Sequence, residues 1–162
     1  IQPNRMFLNK NGLSFDDVTF QGRFGHLQKG HGVSFADLDK DGDQDVHAVM
    51  GGAYEGSAYQ NVLFENPGGW GNHWIGLSLR GGETNKLAIG ARIEVVLTNE
   101  TSIHRTVSSG GSFGGNPLNQ MIGLGKNKKI KEVKIYWPIS GNYQILTDLR
   151  TDQWHEINET GS

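Results

Sequence analysis

The densest chemistry in the sequence is the run Asp37-Leu38-Asp39-Lys40-Asp41-Gly42-Asp43-Gln44-Asp45. Five carboxylates fall within nine residues, offset by one lysine. Like charges at that density repel one another unless a cation neutralises them. The D-x-D-x-D-G pattern places alternate side chains on the inside of a tight loop, and Gly42 at the sixth position permits the bend. Such an all-oxygen cage suits a hard ion of Ca²⁺ size, which takes 6–8 oxygens at about 2.3–2.6 Å. The loop is not an EF-hand: its twelfth position is Ala48, and the flanks Gly32–Ala36 and Val46–Met50 read as strands. Asp37, Asp39, Asp41 and Asp45 are the expected side-chain ligands, with Asp43 offering its backbone carbonyl. The competing reading is a solvated polar hairpin turn.

A second candidate is the glycine-rich stretch Ser108 to Pro117. Within it, Gly110-Gly111-Ser112-Phe113-Gly114 matches the nucleophile-elbow pattern G-x-S-x-G. That pattern needs a strand before it and a helix after it, and the surrounding residues promise neither. A recognition surface is the better use, with Phe113 as an apolar anchor beside Ser112 and Asn116. Trp70, set between glycines, is the tryptophan best placed to stand exposed for ligand contact, whereas Trp137 is in phase with Val133 and Ile135 and belongs to a core. Lys126, Lys128, Lys129, Lys131 and Lys134 could attract an anionic polysaccharide or protein, or simply guard a strand edge. The histidines show no paired metal-ligand spacing, which favours polar packing over a zinc site.

The elements that must hold these residues are nearly all of period two. Ile75, Leu77 and Leu79 alternate with smaller or polar neighbours, as do Ile93, Val95 and Leu97, and Val133, Ile135 and Trp137. Each run reads as a half-buried strand. Short strands are expected near Met6–Asn9, Val18–Phe20, Gly32–Leu38, Asp45–Met50 and Val62–Glu65. Further strands are expected near 73–80, 91–98, 102–108, 120–124, 131–137, 143–147 and 153–159. Turn pairs such as Asn11-Gly12 and Gly81-Gly82 punctuate them. No stretch carries a long helical stripe, and Asp148 to Asp152 could make one turn at most. The fold class is all-β, with a short antiparallel sheet carrying the loop and packed on a C-terminal β-sandwich. A boundary falls at Asn66 to Gly71, dividing residues 1–66 from 72–159.

Composition narrows the function classes. Hydrophobic residues make up 35% of 162, and no apolar run approaches the roughly 20 residues of a membrane helix. A net charge of −2 supplies no basic field for nucleic acid. The absence of cysteine removes disulfides, thiolate metal sites and cysteine nucleophiles. The 24 glycines fit a chain of many tight turns. The start at Ile1 leads us to expect a piece of something longer.

Several stretches also resemble known families. Asn4 to Asn9, Phe15 to Thr19 and His31 to Asp37, followed by the aspartate loop, resemble the FG-GAP/VCBS repeat that builds β-propeller blades. Asn61 to Asn66 resembles the start of another such unit. Asn72-His73-Trp74, Ala88 to Arg92, Ser108 to Phe113, Gly123-Leu124-Gly125 and Val133 to Pro138 resemble the ASPIC/UnbV domain of cartilage acidic protein relatives and bacterial surface proteins. The first resemblance implies calcium ligands at Asp37, Asp39, Asp41, Asp43 and Asp45. The second implies an extracellular β-rich module and no catalytic residues. The expectation is a secreted or cell-surface, non-enzymatic, calcium-binding module, monomeric in isolation, that binds a protein or polysaccharide. The alternative is a purely structural terminal segment of a larger propeller protein.

Overall fold

Alternating apolar and polar residues become strands throughout the chain. The computed structural model describes residues 3–52, 55–56, 58–111 and 113–160, and among them all regular structure is β. Internal contacts divide the chain into two units. One comprises Ile1–Ser34, Val46–Phe64 and Ser112–Gly114, and the other Phe35–Asp45, Glu65–Gly111 and Gly115–Ser162. The acidic loop therefore clusters with the second unit, although strands of the first flank it.

In the first unit, β1 (Phe7–Lys10) and β2 (Ser14–Asp17) form an antiparallel hairpin closed by Asn11 and Gly12, both at positive φ. That turn pairs Lys10 with Ser14, so the second strand lies just before the Val18–Phe20 segment where one was expected. It ends there because Asp17 Oδ1 accepts the Thr19 N–H at 3.0 Å and turns the chain. Thr19 is fully buried, and its hydroxyl accepts the Met6 N–H. Strands β3 (Gly30–Ala36), β4 (Asp45–Met50) and β5 (Val62–Phe64) form a second sheet in that order. Val46, Ala48 and Met50 of β4 face inward and are buried.

The second unit is a sandwich. One sheet has the order β11 (Tyr143–Leu146), β10 (Ile130–Tyr136), β7 (Arg92–Leu97), β8 (Ser102–Thr106). The other has β12 (Trp154–Asn158), β6 (His73–Arg80), β9 (Gln120–Gly125). The pairing of β12 with β6 is parallel, and that of β6 with β9 antiparallel. Ile75, Leu77, Ile93, Val95, Ile122 and Ile135 meet between the sheets with almost no exposure, around a fully buried Trp137. The indole N–H of Trp137 donates to Gln144 Oε1 at 3.0 Å, so burying the ring strands no donor. Burial of each such large side chain contributes about 1.5–3 kcal/mol.

One buried acid ties the turns of this sandwich together. Glu159 Oε2 accepts the backbone N–H groups of Gly82 and Thr84, and Oε1 accepts the hydroxyls of Thr84 and Ser140. Burial pushes its carboxyl upward, but the bonds from Ser140, Thr84 and Gly82 outweigh burial and hold it below the usual range. A lowered folded-state value contributes stability above the unfolded value of about 4.3, lost as pH falls through the folded one. Urea unfolding should show Glu159→Gln less stable by about 1.5–3 kcal/mol at pH 7, because an amide cannot accept at both positions. That difference should shrink as pH falls through the folded-state value, where the native carboxyl takes up its proton.

Candidate functional site

The acidic loop runs between β3 and β4, and its shape is set by its own carboxylates. Asp39 Oδ1 accepts the Asp41 N–H at 3.2 Å, and Asp41 Oδ1 accepts the Asp43 N–H at 3.1 Å. These Asx turns carry Lys40 and Gly42 into positive φ, at 66° and 99°. Only glycine fits at 42, since a Cβ there would lie 2.7 Å from the indole nitrogen of Trp74. One carboxylate oxygen from each of Asp37, Asp39 and Asp41 lies within 4.8 Å of the others. Asp37 Oδ1 and Asp43 Oδ1 are buried without a hydrogen-bond partner. Burial, and then the charges of Asp41, Asp45, Asp39 and Asp37, raise the Asp43 carboxyl above the ordinary range.

The surroundings of Asp45 and Asp43 differ from each other. Asp45, expected as a closing ligand, is 2% exposed, with Oδ2 accepting the Leu38 N–H at 3.0 Å and Oδ1 the Asn66 N–H at 2.9 Å. Asp43, expected to offer its backbone carbonyl, also has an unpartnered side-chain oxygen. The acidic donor set is therefore rich in oxygen, poor in internal donors and braced from below. That fits a hard cation.

Facing the loop is the glycine-rich stretch Asn66–Gly71, expected to be a boundary and to expose Trp70 for ligand contact. A Cβ on Gly68 would lie 3.0 Å from Asp43 Oδ2 and 3.1 Å from Asp41 Oδ2, so this backbone forms a wall against the carboxylates. Between loop and wall lies a cavity of about 320 Å³, with Trp70, Trp74, His73 and Arg105 also lining it. Trp70 is 69% exposed, and its carbonyl accepts a bond from Lys126 Nζ. Trp74 packs edge-on against Trp154, with centroids 5.9 Å apart. His73 Nδ1 is 2.7 Å from Asp152 Oδ2. Burial raises the Asp152 carboxyl, but its bonds from His73, Trp74 and Thr151 leave it below the ordinary range.

The recognition residues proposed from sequence do not gather at one point. Trp70 lines the cavity just described, while Asn116 lines another of about 260 Å³ in the same unit. Asn116 Oδ1 accepts the Phe35 N–H at 2.9 Å. Phe113 belongs to the first unit, where its side chain is exposed and its carbonyl crowds Gly32. Ser112 lies outside the described residues. Among those residues no helix follows Gly114, so the nucleophile-elbow context is absent. The lysine-rich segment is partly neutralised, Lys131 by Glu100 and Lys134 by Glu94 and Glu132.

Sequence reasoning passed over Arg105 and Gln44, which line both cavities. Arg105 had a readable signal. It shares its parity on the strand with Ile103 and so occupies an inward-facing position.

The brace at Asp45 can be tested directly. Asp45→Ala leaves the Leu38 and Asn66 N–H groups without their acceptor and should cost about 2–4 kcal/mol in urea unfolding. Asp45→Asn keeps one acceptor oxygen and should cost less.

Residues 81–162, just over half of the chain, match the family described as ASPIC and UnbV. No curated protein matches the chain. The match spans β7 to β12 and so takes in all of the four-stranded sheet of the sandwich. The chain belongs to the ASPIC and UnbV family.

Proposed function

We propose that this chain is a non-catalytic, calcium-stabilised ligand-binding module of a secreted or cell-surface protein. The observation that carries this reading is the pair of buried, unpartnered oxygens on Asp37 and Asp43, beside the converging carboxylates of Asp37, Asp39 and Asp41. Unsatisfied carboxylate oxygens are costly in a folded protein, and a divalent cation removes both the desolvation cost and the mutual repulsion. Asp37, Asp39, Asp41 and Asp43 would hold the ion, with Asp45 bracing the loop beneath them. The bound ion supplies charge neutralisation and a cross-link across the turn. This oxygen set, with the FG-GAP/VCBS resemblance of residues 4–66, favours Ca²⁺ over softer metals.

The non-catalytic part of the reading is supported by the cavity beside the loop. It contains an imidazole paired with a carboxylate, but no serine, threonine or cysteine among its described lining residues. Tryptophan, amides and one arginine suit binding of an extracellular protein or polysaccharide. A second reading, a structural terminal segment of a larger propeller protein, is favoured by the first unit. There Phe7, Leu8, Leu13, Phe15, Phe20 and Leu27 are all exposed. A repeat that cannot bury its own apolar faces needs neighbouring repeats to do so. On that reading Leu13→Ser with Phe15→Ser leaves Tm unchanged in this chain.

The calcium reading is tested by thermal melts in EDTA, Mg²⁺ and Ca²⁺. At 100 times Kd, binding adds about 2.7 kcal/mol, which raises Tm by about 5–10 °C for a chain of this size. The rise should be specific to Ca²⁺ and lost in Asp41→Ala. Asp43→Asn should raise Tm in EDTA, by relieving repulsion, and weaken the response to Ca²⁺. Equal melting in all three buffers would leave the loop an ordinary polar turn.

A further inference from the structure

The two cavities of the second unit share Gln44, Arg105 and Met121 along their walls, and so form adjacent parts of one groove. Their volumes, about 320 and 260 Å³, together fall in the range of small-ligand sites, roughly 300–1,000 Å³. The ends of the groove differ in charge. Asp41 and Asp43 line one end, while the other holds no acidic side chain among its described lining residues. That second end is built from amides and hydroxyls, including Asn116, Asn119, Thr106 and Ser108.

Arg105 stands at the junction. It lies opposite Ile93 in the ladder, and Ile93 is buried in the core, so Arg105 emerges from the inward face of the edge strand β8. An inward charge on an edge strand blocks unwanted pairing, but that role does not require a groove in front of it. Its guanidinium donates to the carbonyl of His104 at 2.8 Å and meets no carboxylate among the described residues. A guanidinium carries five N–H donors in a flat fork that matches a carboxylate. The amides nearby are oriented the same way. Asn116 Oδ1 is held by the Phe35 N–H, and Asn119 Oδ1 by the Ser78 hydroxyl, which leaves the NH₂ group of each as a donor. A site rich in donors calls for a ligand rich in acceptor oxygens.

At the acidic end the exposed ring of Trp70 offers a flat apolar face. Sugar rings have such a face, edged by hydroxyls that hydrogen-bond to amides and carboxylates. We propose that this groove binds a carboxylate-bearing oligosaccharide, with Arg105 taking a uronate carboxylate and Trp70 stacking on a neighbouring sugar. The charge asymmetry sets the direction of the chain, with the carboxylate at the amide end, away from Asp41 and Asp43. One guanidinium beside two carboxylates matches a sparsely charged chain better than a densely sulfated one. The proposal rests on the ligand-binding half of the reading above and not on the calcium half.

The test is calorimetric titration of the whole chain with hexasaccharides of mannuronate, galacturonate and hyaluronan, each beside its methyl ester, and with a heparin hexasaccharide. Each titration is run in Ca²⁺ and again in EDTA, which separates binding to the protein from chelation by the sugar. At least one uronate should bind, and its ester should bind at least about tenfold more weakly, the worth of one charge-assisted contact. Arg105→Gln and Trp70→Ala should weaken binding similarly with Tm unchanged, and Arg105→Lys should restore part of it. Absence of uronate binding, equal binding of the ester, indifference to Arg105→Gln, or tighter binding of heparin would each overturn the proposal. The calcium reading is judged on the melt of the sugar-free protein, so either can fail alone.

Discussion

The carboxylate of Asp45 holds the second unit's functional end in place. A buried charge costs several kcal/mol unless it is fully hydrogen-bonded, and Asp45 meets that demand with two backbone donors from different segments. One is Leu38, at the entry to the acidic loop; the other is Asn66, at the head of the glycine-rich wall. The loop and the wall are therefore fixed to the same carboxylate. Two residues beyond Asn66, a Cβ on Gly68 would lie 3.0 Å from Asp43 Oδ2 and 3.1 Å from Asp41 Oδ2. The remaining aspartates are free to face one another because the brace sits beneath them.

Above that anchor, the sandwich provides a stiff floor. Gly76 in β6 lies beneath the ring of Trp154, where any Cβ would collide with the indole, and Gly123 in β9 leaves the outer face open beside Trp74. Small residues on the outer face of this sheet thus make room for the rings of Trp154 on the edge strand and Trp74 on the central one. The inner face of the same strands carries Ile75, Leu77 and Leu79 into the core. The family match begins at residue 81, yet β6 is the central strand of the three-stranded sheet. The packed sandwich of this chain therefore includes a strand that precedes the matched residues.

Much of this was legible in the amino-acid sequence because period two reports burial directly. The strand at 73–80 and the buried Trp137 follow from alternation alone, and the chemistry of the aspartate loop follows from local charge density. The strand expected at Val18–Phe20 lies at Ser14–Asp17 because the turn at Asn11-Gly12, a local feature, pairs Lys10 with Ser14. The roles within the loop were harder to assign. Nothing in the spacing of Asp43 and Asp45 says which is pointed down to backbone donors, since Asn66 supplies one of those donors from 21 positions away. The parity of Arg105 with Ile103 is visible in the sequence, but its place opposite the buried Ile93 follows only from the ladder. The stretch Asn66–Gly71 has the composition of a boundary with an exposed Trp70, and its role as a wall shows only in the approach of Gly68 to Asp41 and Asp43.

The parallel pairing of β12 with β6 has a bearing on how the chain acquires its structure. The two strands are joined edge to edge, and the ladder partners Gly76 and Trp154 lie 78 positions apart. No short turn can nucleate such a pair, so its closure entropy must be met before the contact returns any gain. The hairpins β7–β8 and β10–β11 are local and can form early. The three-stranded sheet cannot close until the final strand is available. Until β12 arrives, the edge of β6 away from β9 keeps its backbone N–H and C=O groups unpaired, a free strand edge open to wrong partners.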